Sequence, residues 1–136
     1  MKKSADILKR SNIRITPQRV GLFKILGQEG AHLTAEEIYE KIKKRFPGIS
    51  LATVYTILEL FKDKRLVQEI RIKNGRSCFE TRVDWHHHFL CEKCGRIFDV
   101  DIAPCPSLEK KEADGHIIKE HQGYFYGLCR ICKKRR

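Results

Sequence analysis

The chain has 136 residues, 41% of them hydrophobic and 33% charged, with a formal net charge of +11, which describes a soluble globular protein of one domain or two small ones. No apolar run approaches the length of a bilayer span, and the opening MKKSADILKRSN lacks the apolar core of a secretion signal, so a cytoplasmic protein with no membrane partner is expected. The charge is uneven: residues 1–76 carry 17 Lys/Arg against 8 Asp/Glu, whereas residues 77–136 carry 11 against 9. A basic front half suits a polyanion, and a back half that is slightly acidic apart from its Lys133–Arg136 tail suits cations.

In chain order, Ser4 is positioned to cap a short helix through about Asn12. Thr16-Pro17 is a cap followed by proline at the first helical position, predicting a helix to about Gln28 that Gly27 and Gly30 end. Thr34-Ala-Glu-Glu37 is a capping box, and Ile38, Tyr39, Ile42 and Phe46 recur at helical spacing until Pro47-Gly48. Ser50 caps the next helix, with Val54, Ile57, Leu58 and Phe61 as its buried stripe. LVQEIRI (66–72) and SCFETRV (77–83) then flank Lys73-Asn74-Gly75-Arg76, an Asn-Gly hairpin signal. Three helices followed by a two-stranded ribbon describe a winged helix-turn-helix, with the Ser50 helix as its recognition helix.

Past Val83-Asp84 the texture changes. FLCEKCGRIFDVD (89–101) reads as strand, CxxC turn, strand. PSLEKKEADG (106–115) reads as a short helix ended by Gly115, and HIIKEHQGYFYGLC (116–129) as two strands meeting at Gln122-Gly123. The expected class is α+β: a winged-helix domain with its hinge over 1–83 and a small α/β domain over 84–136.

Cys91-x-x-Cys94 and Cys129-x-x-Cys132 carry the most specific signal. In a reducing compartment paired cysteines are metal ligands rather than disulfides, and two such turns complete a tetrahedral thiolate cage for structural Zn²⁺. Of the other two cysteines, Cys78 falls in the second wing strand as a small buried residue, and Cys105 stands between prolines. Trp85-His86-His87-His88 precedes the first pair. In an extended segment His86 and His88 share one face and His87 takes the other, while Glu80 and Asp99 lie nearby in sequence. Mixed imidazole and carboxylate ligation suits Fe²⁺, Mn²⁺ or Zn²⁺.

The stretches RITPQR (14–19), HLTAEEIYEKI (32–42), GISLATVYTILELF (48–61), HHHFLCEKCGRIFDVD (86–101) and YGLCRIC (126–132) together resemble the ferric uptake regulator (Fur) superfamily of bacterial metalloregulators, end to end and in the same order. The resemblance implies a homodimeric transcriptional repressor of palindromic operator DNA, with no small organic substrate and no enzymatic activity. It implies a regulatory metal (Fe²⁺ or Mn²⁺, with Zn²⁺ as a further option) held by His32, Glu80, His86, His88 and Asp99. One ion would then clamp the DNA-binding and dimerisation domains at a fixed angle. A third family site implies His87, Glu109 and His121, although Trp85 replaces its fourth ligand. For DNA it implies Arg14 in the minor groove, Arg19 near the backbone, and Ser50, Thr53, Tyr55 and Thr56 at the recognition helix. The family commonly has Arg or Asn where Thr56 stands, so bidentate base readout is lost at that position.

Asp99 is similar to the peroxide-sensing branch of the family, in which bound Fe²⁺ reacts with peroxide and a ligand histidine is oxidised; iron sensors usually have glutamate there. Glu80 points the other way, because peroxide sensors usually carry aspartate at that position. The chain therefore reads as a sensor of peroxide or of iron, with zinc sensing as an alternative. A zinc-ribbon RNA-binding module is the rival from another class. It accounts for the cysteines and the charge but not for His32, the histidine pair or the capped helices leading to a wing. A zinc deaminase needs His-x-Glu ahead of Pro-Cys-x-x-Cys, and neither CxxC pair has that setting.

Overall fold

A computed structural model describes residues 2–28, 32–73, 75–81, 86–103, 110–119, 121 and 123–134. The chain divides into two compact units, Met1–Asp84 and Trp85–Arg136.

The first unit contains α1 (Lys2–Arg10), α2 (Pro17–Leu26), β1 (Leu33–Thr34), α3 (Ala35–Ile42), α4 (Leu51–Asp63), β2 (Gln68–Lys73) and β3 (Arg76–Glu80). Three of the helices begin where the sequence signals them. The hydroxyls of Thr16, Thr34 and Ser50 each accept the backbone N–H three residues on, from Arg19, Glu37 and Thr53. Thr34 also donates its hydroxyl to the Glu37 carboxylate at 3.1 Å, which completes the capping box. Val54, Ile57, Leu58 and Phe61 are all buried on α4, where they join Leu22, Phe23, Leu26 and Ile38 in one apolar core. Phe23 meets Phe61 edge to face at 5.6 Å.

Several boundaries differ from expectation. Ser4 lies inside α1, which begins at Lys2. α1 closes near the expected point because Asn12 adopts a left-handed conformation (φ 62°), letting Ile13 N–H reach back to Leu8 O. α3 stops at Ile42 instead of continuing to Phe46. Arg45 and Phe46 both donate to Ile42 O, a closing turn that suits the bias of a residue preceding proline away from helix. The wing gains a strand: β1 pairs with β3, giving a three-stranded antiparallel sheet in the order β1-β3-β2.

The second unit contains β4 (His87–Cys91), β5 (Ile97–Val100), β6 (Glu112–Ala113), β7 (His116–Ile117), β8 (Gly123–Gly127) and α5 (Arg130–Lys134). β4 is central, antiparallel to β5 and parallel to β8. The helix expected over 106–115 is corrected in its described part. Glu112–Ala113 pairs with His116–Ile117 around Asp114-Gly115, both at positive φ (51° and 81°). Asp-Gly is a hairpin turn, so Gly115 ends a strand rather than a helix. β7 and β8 do not pair with each other, as had been expected; β8 joins β4 instead. Cys105, Glu109 and Trp85 lie outside the described residues. The unit is a small α/β fold that follows the winged helix in the chain. Among the described residues no helix is long and apolar enough to cross a membrane.

Candidate metal centres and nucleic-acid interface

Cys91 ends β4, Cys94 follows in the turn before β5, Cys129 follows β8, and Cys132 lies on α5. The parallel pairing of β4 with β8 brings the two pairs together. Glu92 N–H donates to Gly127 O at 2.8 Å, and all four sulfurs lie within 4.8 Å of one another. Cys94 and Cys129 Sγ are 3.9 Å apart. Two thiolates on a tetrahedral ion with bonds of about 2.3 Å are separated by about 3.8 Å, so the donor set fits zinc. The backbone favours ionised sulfur here. Cys94 and Cys129 N–H both point at Cys91 Sγ (3.5 and 3.4 Å), and Cys132 N–H points at Cys129 Sγ (3.4 Å). The Cys94 and Cys129 donors hold the Cys91 thiol down to about 6. Burial, reinforced by the neighbouring sulfurs, pushes Cys132 up to about 12. Gly95 supplies the positive φ (74°) that lets the chain turn after Cys94.

In the first unit, His32 Nε2 lies 2.9 Å from Glu80 Oε2, both side chains being buried. His32 immediately precedes β1, and Glu80 ends β3, so the β1–β3 pairing absent from the sequence reading is what delivers this histidine to this carboxylate. Gln68 Nε2 donates to the other oxygen, Oε1. In the second unit, His88 is the cross-strand partner of Asp99, and His86 lies on the same face. Asp99 Oδ1 is 3.2 Å from His86 Nε2 and 3.6 Å from His88 Nε2, and the two rings stand 4.4 Å apart. Adjacent ligands on an ion with bonds of about 2.1 Å sit about 3 Å apart in an octahedral shell and farther in a tetrahedral one. Both sets therefore have the donor chemistry and spacing of partial metal shells.

His87 takes the opposite face of β4. It pairs with Gly123, where a Cβ would come within 2.2 Å of His87 Nδ1, and its ring meets Phe125 at 5.2 Å. His121 is half-buried, and Glu109 lies outside the described residues, so the third ligand set is not assembled by what is described.

On α4 the face opposite the buried stripe carries Ala52, Tyr55, Thr56 and Glu59, all exposed. Thr56 spends its hydroxyl on Ala52 O at 3.0 Å, and Ser50 and Thr53 share a hydrogen bond at 2.9 Å. Tyr55 is 42% exposed, yet its hydroxyl donates to Glu36 Oε1 on α3 at 3.0 Å, a contact that raises its pKa. Sequence reasoning missed Glu36, because it looks like an ordinary acidic residue of a helix's first turn. Arg19 donates to Arg14 O at 2.9 Å, which joins the two basic residues ahead of and within α2.

The model of the ferric uptake regulator family matches residues 10–126. The chain belongs to the ferric uptake regulator family. Among the similar members, the "Peroxide-responsive repressor PerR" of Staphylococcus epidermidis is 34% identical, over 98% of this chain and 91% of its own. The "Peroxide operon regulator" of Bacillus subtilis is 34% identical, over 99% and 94%. Among solved structures of the Fur type, the Campylobacter jejuni peroxide stress regulator aligns with a TM-score of 0.66 at 31% identity, covering 96% of this chain and 97% of that one.

The sulfur geometry of this family member makes a direct prediction. Protein stripped of metal and titrated with Co²⁺ is expected to develop thiolate-to-metal charge-transfer bands and the intense visible bands of a tetrahedral centre. Cys91→Ser or Cys132→Ser is expected to abolish the four-sulfur spectrum. An octahedral spectrum from the unaltered protein would contradict the cage.

Proposed function

We propose that the protein is a metal-dependent, DNA-binding transcriptional repressor, a regulator rather than an enzyme, that senses peroxide through bound Fe²⁺. The observation that carries this reading is near full-length similarity to relatives named for peroxide response, joined to a ligand set that contains Asp99. On this reading residues 1–83 read DNA, residues 84–136 dimerise, and both act in the cytoplasm.

Zn²⁺ in the Cys91, Cys94, Cys129, Cys132 cage is structural, because four thiolates leave no position for another ligand. Fe²⁺, or Mn²⁺ in its place, is held by His32, Glu80, His86, His88 and Asp99. These residues come from two units, and their service to a single ion is a reading that the family resemblance supports. Homodimerisation is supported by apolar side chains that the C-terminal unit leaves exposed, among them Ile117 (76%), Tyr126 (53%) and Ile131 (42%). A dimer of winged helices reads a palindrome, one recognition helix in each major groove.

Held by these residues, ferrous iron would supply the one-electron chemistry needed to cleave peroxide. In the net reaction one H₂O₂ is reduced by two electrons to water, and one imidazole C–H is oxidised by two electrons, gaining one oxygen. His32 and His86 are the candidates for that oxidation. An oxidised imidazole is a poor ligand, so its loss releases the constraint between the units and, with it, the DNA. Iron sensing is the second reading, favoured by Glu80 where peroxide sensors usually have aspartate.

The DNA assignment predicts that Tyr55→Ala costs about 1–3 kcal/mol of discrimination between operator and mismatched duplex. Tyr55→Phe, which keeps the ring and loses only the hydroxyl already given to Glu36, is expected to cost less. Lys44→Ala is expected to reduce the salt slope and leave base preference intact, as measured by fluorescence anisotropy at several salt concentrations. If Tyr55→Ala leaves discrimination unchanged, α4 is not the reading helix.

The signal is tested by brief peroxide treatment of Fe²⁺-loaded protein followed by peptide mass spectrometry. One added oxygen on a peptide containing His32 or His86, together with loss of DNA binding, is expected, and Asp99→Glu is expected to suppress the oxidation while keeping iron-dependent DNA binding. Unmodified histidines with DNA binding intact would assign iron sensing instead, and oxidation confined to cysteines would assign thiol chemistry.

A further inference from the structure

Within the N-terminal unit, Gln68 and His32 meet different oxygens of the Glu80 carboxylate. Gln68 and Glu80 are cross-strand partners of β2 and β3, and Gln68 Nε2 donates to Glu80 Oε1 at 2.5 Å. The other oxygen, Oε2, faces His32 Nε2 at 2.9 Å. The buried carboxylate is thus divided, with one oxygen on an amide and the other aimed at an imidazole.

We propose that Gln68 is a positioning residue for the regulatory metal, holding Glu80 as a one-oxygen ligand. The inference rests on the reading of His32 and Glu80 as regulatory ligands given above. An amide N–H fixed on Oε1 stabilises the ionised carboxylate and opposes the rotation that would bring both oxygens onto one ion. Two-oxygen grips enlarge the shell and suit large, oxygen-seeking cations such as Ca²⁺. A one-oxygen grip keeps the ligand count low and leaves the preference with imidazole-seeking transition metals. A glutamate has one methylene more than an aspartate, which adds reach and freedom, and the amide of Gln68 removes the freedom.

The register that makes this contact depends on an irregularity in the wing. Lys73 pairs with Arg76, whereas Ile70 pairs with Cys78 and Gln68 with Glu80, so the register slips by one residue between Ile70 and Lys73. An unbroken hairpin would set Gln68 opposite Thr81 and place Glu69 opposite Glu80. That arrangement juxtaposes two carboxylates and leaves the amide off the ligand.

The experiment uses the full-length, zinc-loaded protein and Mn²⁺ as the probe, comparing the unaltered chain with Gln68→Met and Glu80→Gln. Gln68→Met keeps the length of the side chain and removes its donor. It is expected to weaken Mn²⁺ binding by about 10–100-fold in calorimetry, with zinc content unchanged and DNA binding regained at saturating Mn²⁺. Infrared difference spectra, Mn²⁺-bound minus Mn²⁺-free, are expected to show the wide carboxylate stretching separation of a one-oxygen ligand in the unaltered protein. That band disappears in Glu80→Gln, which identifies it, and its separation narrows in Gln68→Met. If Glu80→Gln loses Mn²⁺ binding while Gln68→Met matches the unaltered protein in affinity and spectrum, Glu80 ligates unaided and the proposal fails alone. A Gln68→Met protein with lowered thermal stability but an unchanged carboxylate band would also overturn it, leaving Gln68 a purely structural role. Unchanged Mn²⁺ affinity in Glu80→Gln would overturn the ligand reading and the proposal together.

Discussion

Four sulfurs meeting in one place are the constraint on which the C-terminal unit depends. Among the described residues the buried apolar positions of that unit are Cys91, Cys129 and Cys132, with Phe89 and Phe98 packed against them. A unit so small buries little apolar surface, and an ion held by the four sulfurs would take the place of the missing core. Backbone donors favour thiolate at Cys91, burial and the other sulfurs oppose ionisation at Cys132, and a cation among the four sulfurs would favour thiolate at both. β4 ends at Cys91, so the register that sets His88 opposite Asp99 is anchored at one end by the sulfur cage. The sulfur cage and His88, one of the proposed regulatory ligands, are therefore linked through a single strand.

The N-terminal unit is built on a different principle. Its core is apolar and continuous from α1 to the wing, and its helices are fixed locally by hydroxyl caps. That rigidity leaves the exposed face of α4 free to specialise, and polar contacts already order it before any ligand arrives. Glu36 restrains Tyr55 from α3, and Lys62 on α4 reaches Glu69 in the wing at 2.6 Å. Glu69 also accepts from Ser77, and these donors outweigh its burial and keep its carboxyl below the usual range. The brace ties α4 to the strand that carries Gln68. The wing and the proposed metal ligand thus share one small sheet, a route by which metal occupancy in this unit would reach α4.

What could be read in the sequence was local. Thr16-Pro17, the Thr34–Glu37 box and Ser50 act over three residues, and the α4 stripe obeys one period, so each survives folding as written. The paired cysteines were legible because ligand spacing is itself a local property. Long-range pairings were not legible. Two residues of β1 carry no strand signal, yet their pairing with β3 brings His32 to Glu80; from the sequence, His32 was accessible only through family resemblance. The parallel union of β4 and β8 was hidden because nothing in GYFYG distinguishes a partner on its own hairpin from one more than thirty residues earlier. Asp114-Gly115 was legible and misread as a helix stop, although it carries the turn chemistry recognised at Asn74-Gly75. Gln68 was hidden by the register slip, since counting from the turn assigns it the wrong partner.

The central claim is that metal occupancy and DNA affinity are one coupled equilibrium, and coupling of this kind is reciprocal. The direct measurement titrates operator DNA with zinc-loaded protein under anaerobic conditions, with and without Mn²⁺ or Fe²⁺, and then titrates the metal with and without DNA. The account predicts that metal tightens DNA binding at least about tenfold, that DNA tightens metal binding by the same factor, and that Glu80→Gln abolishes both effects. Tight operator binding by the zinc-loaded protein that is indifferent to a second metal would contradict it.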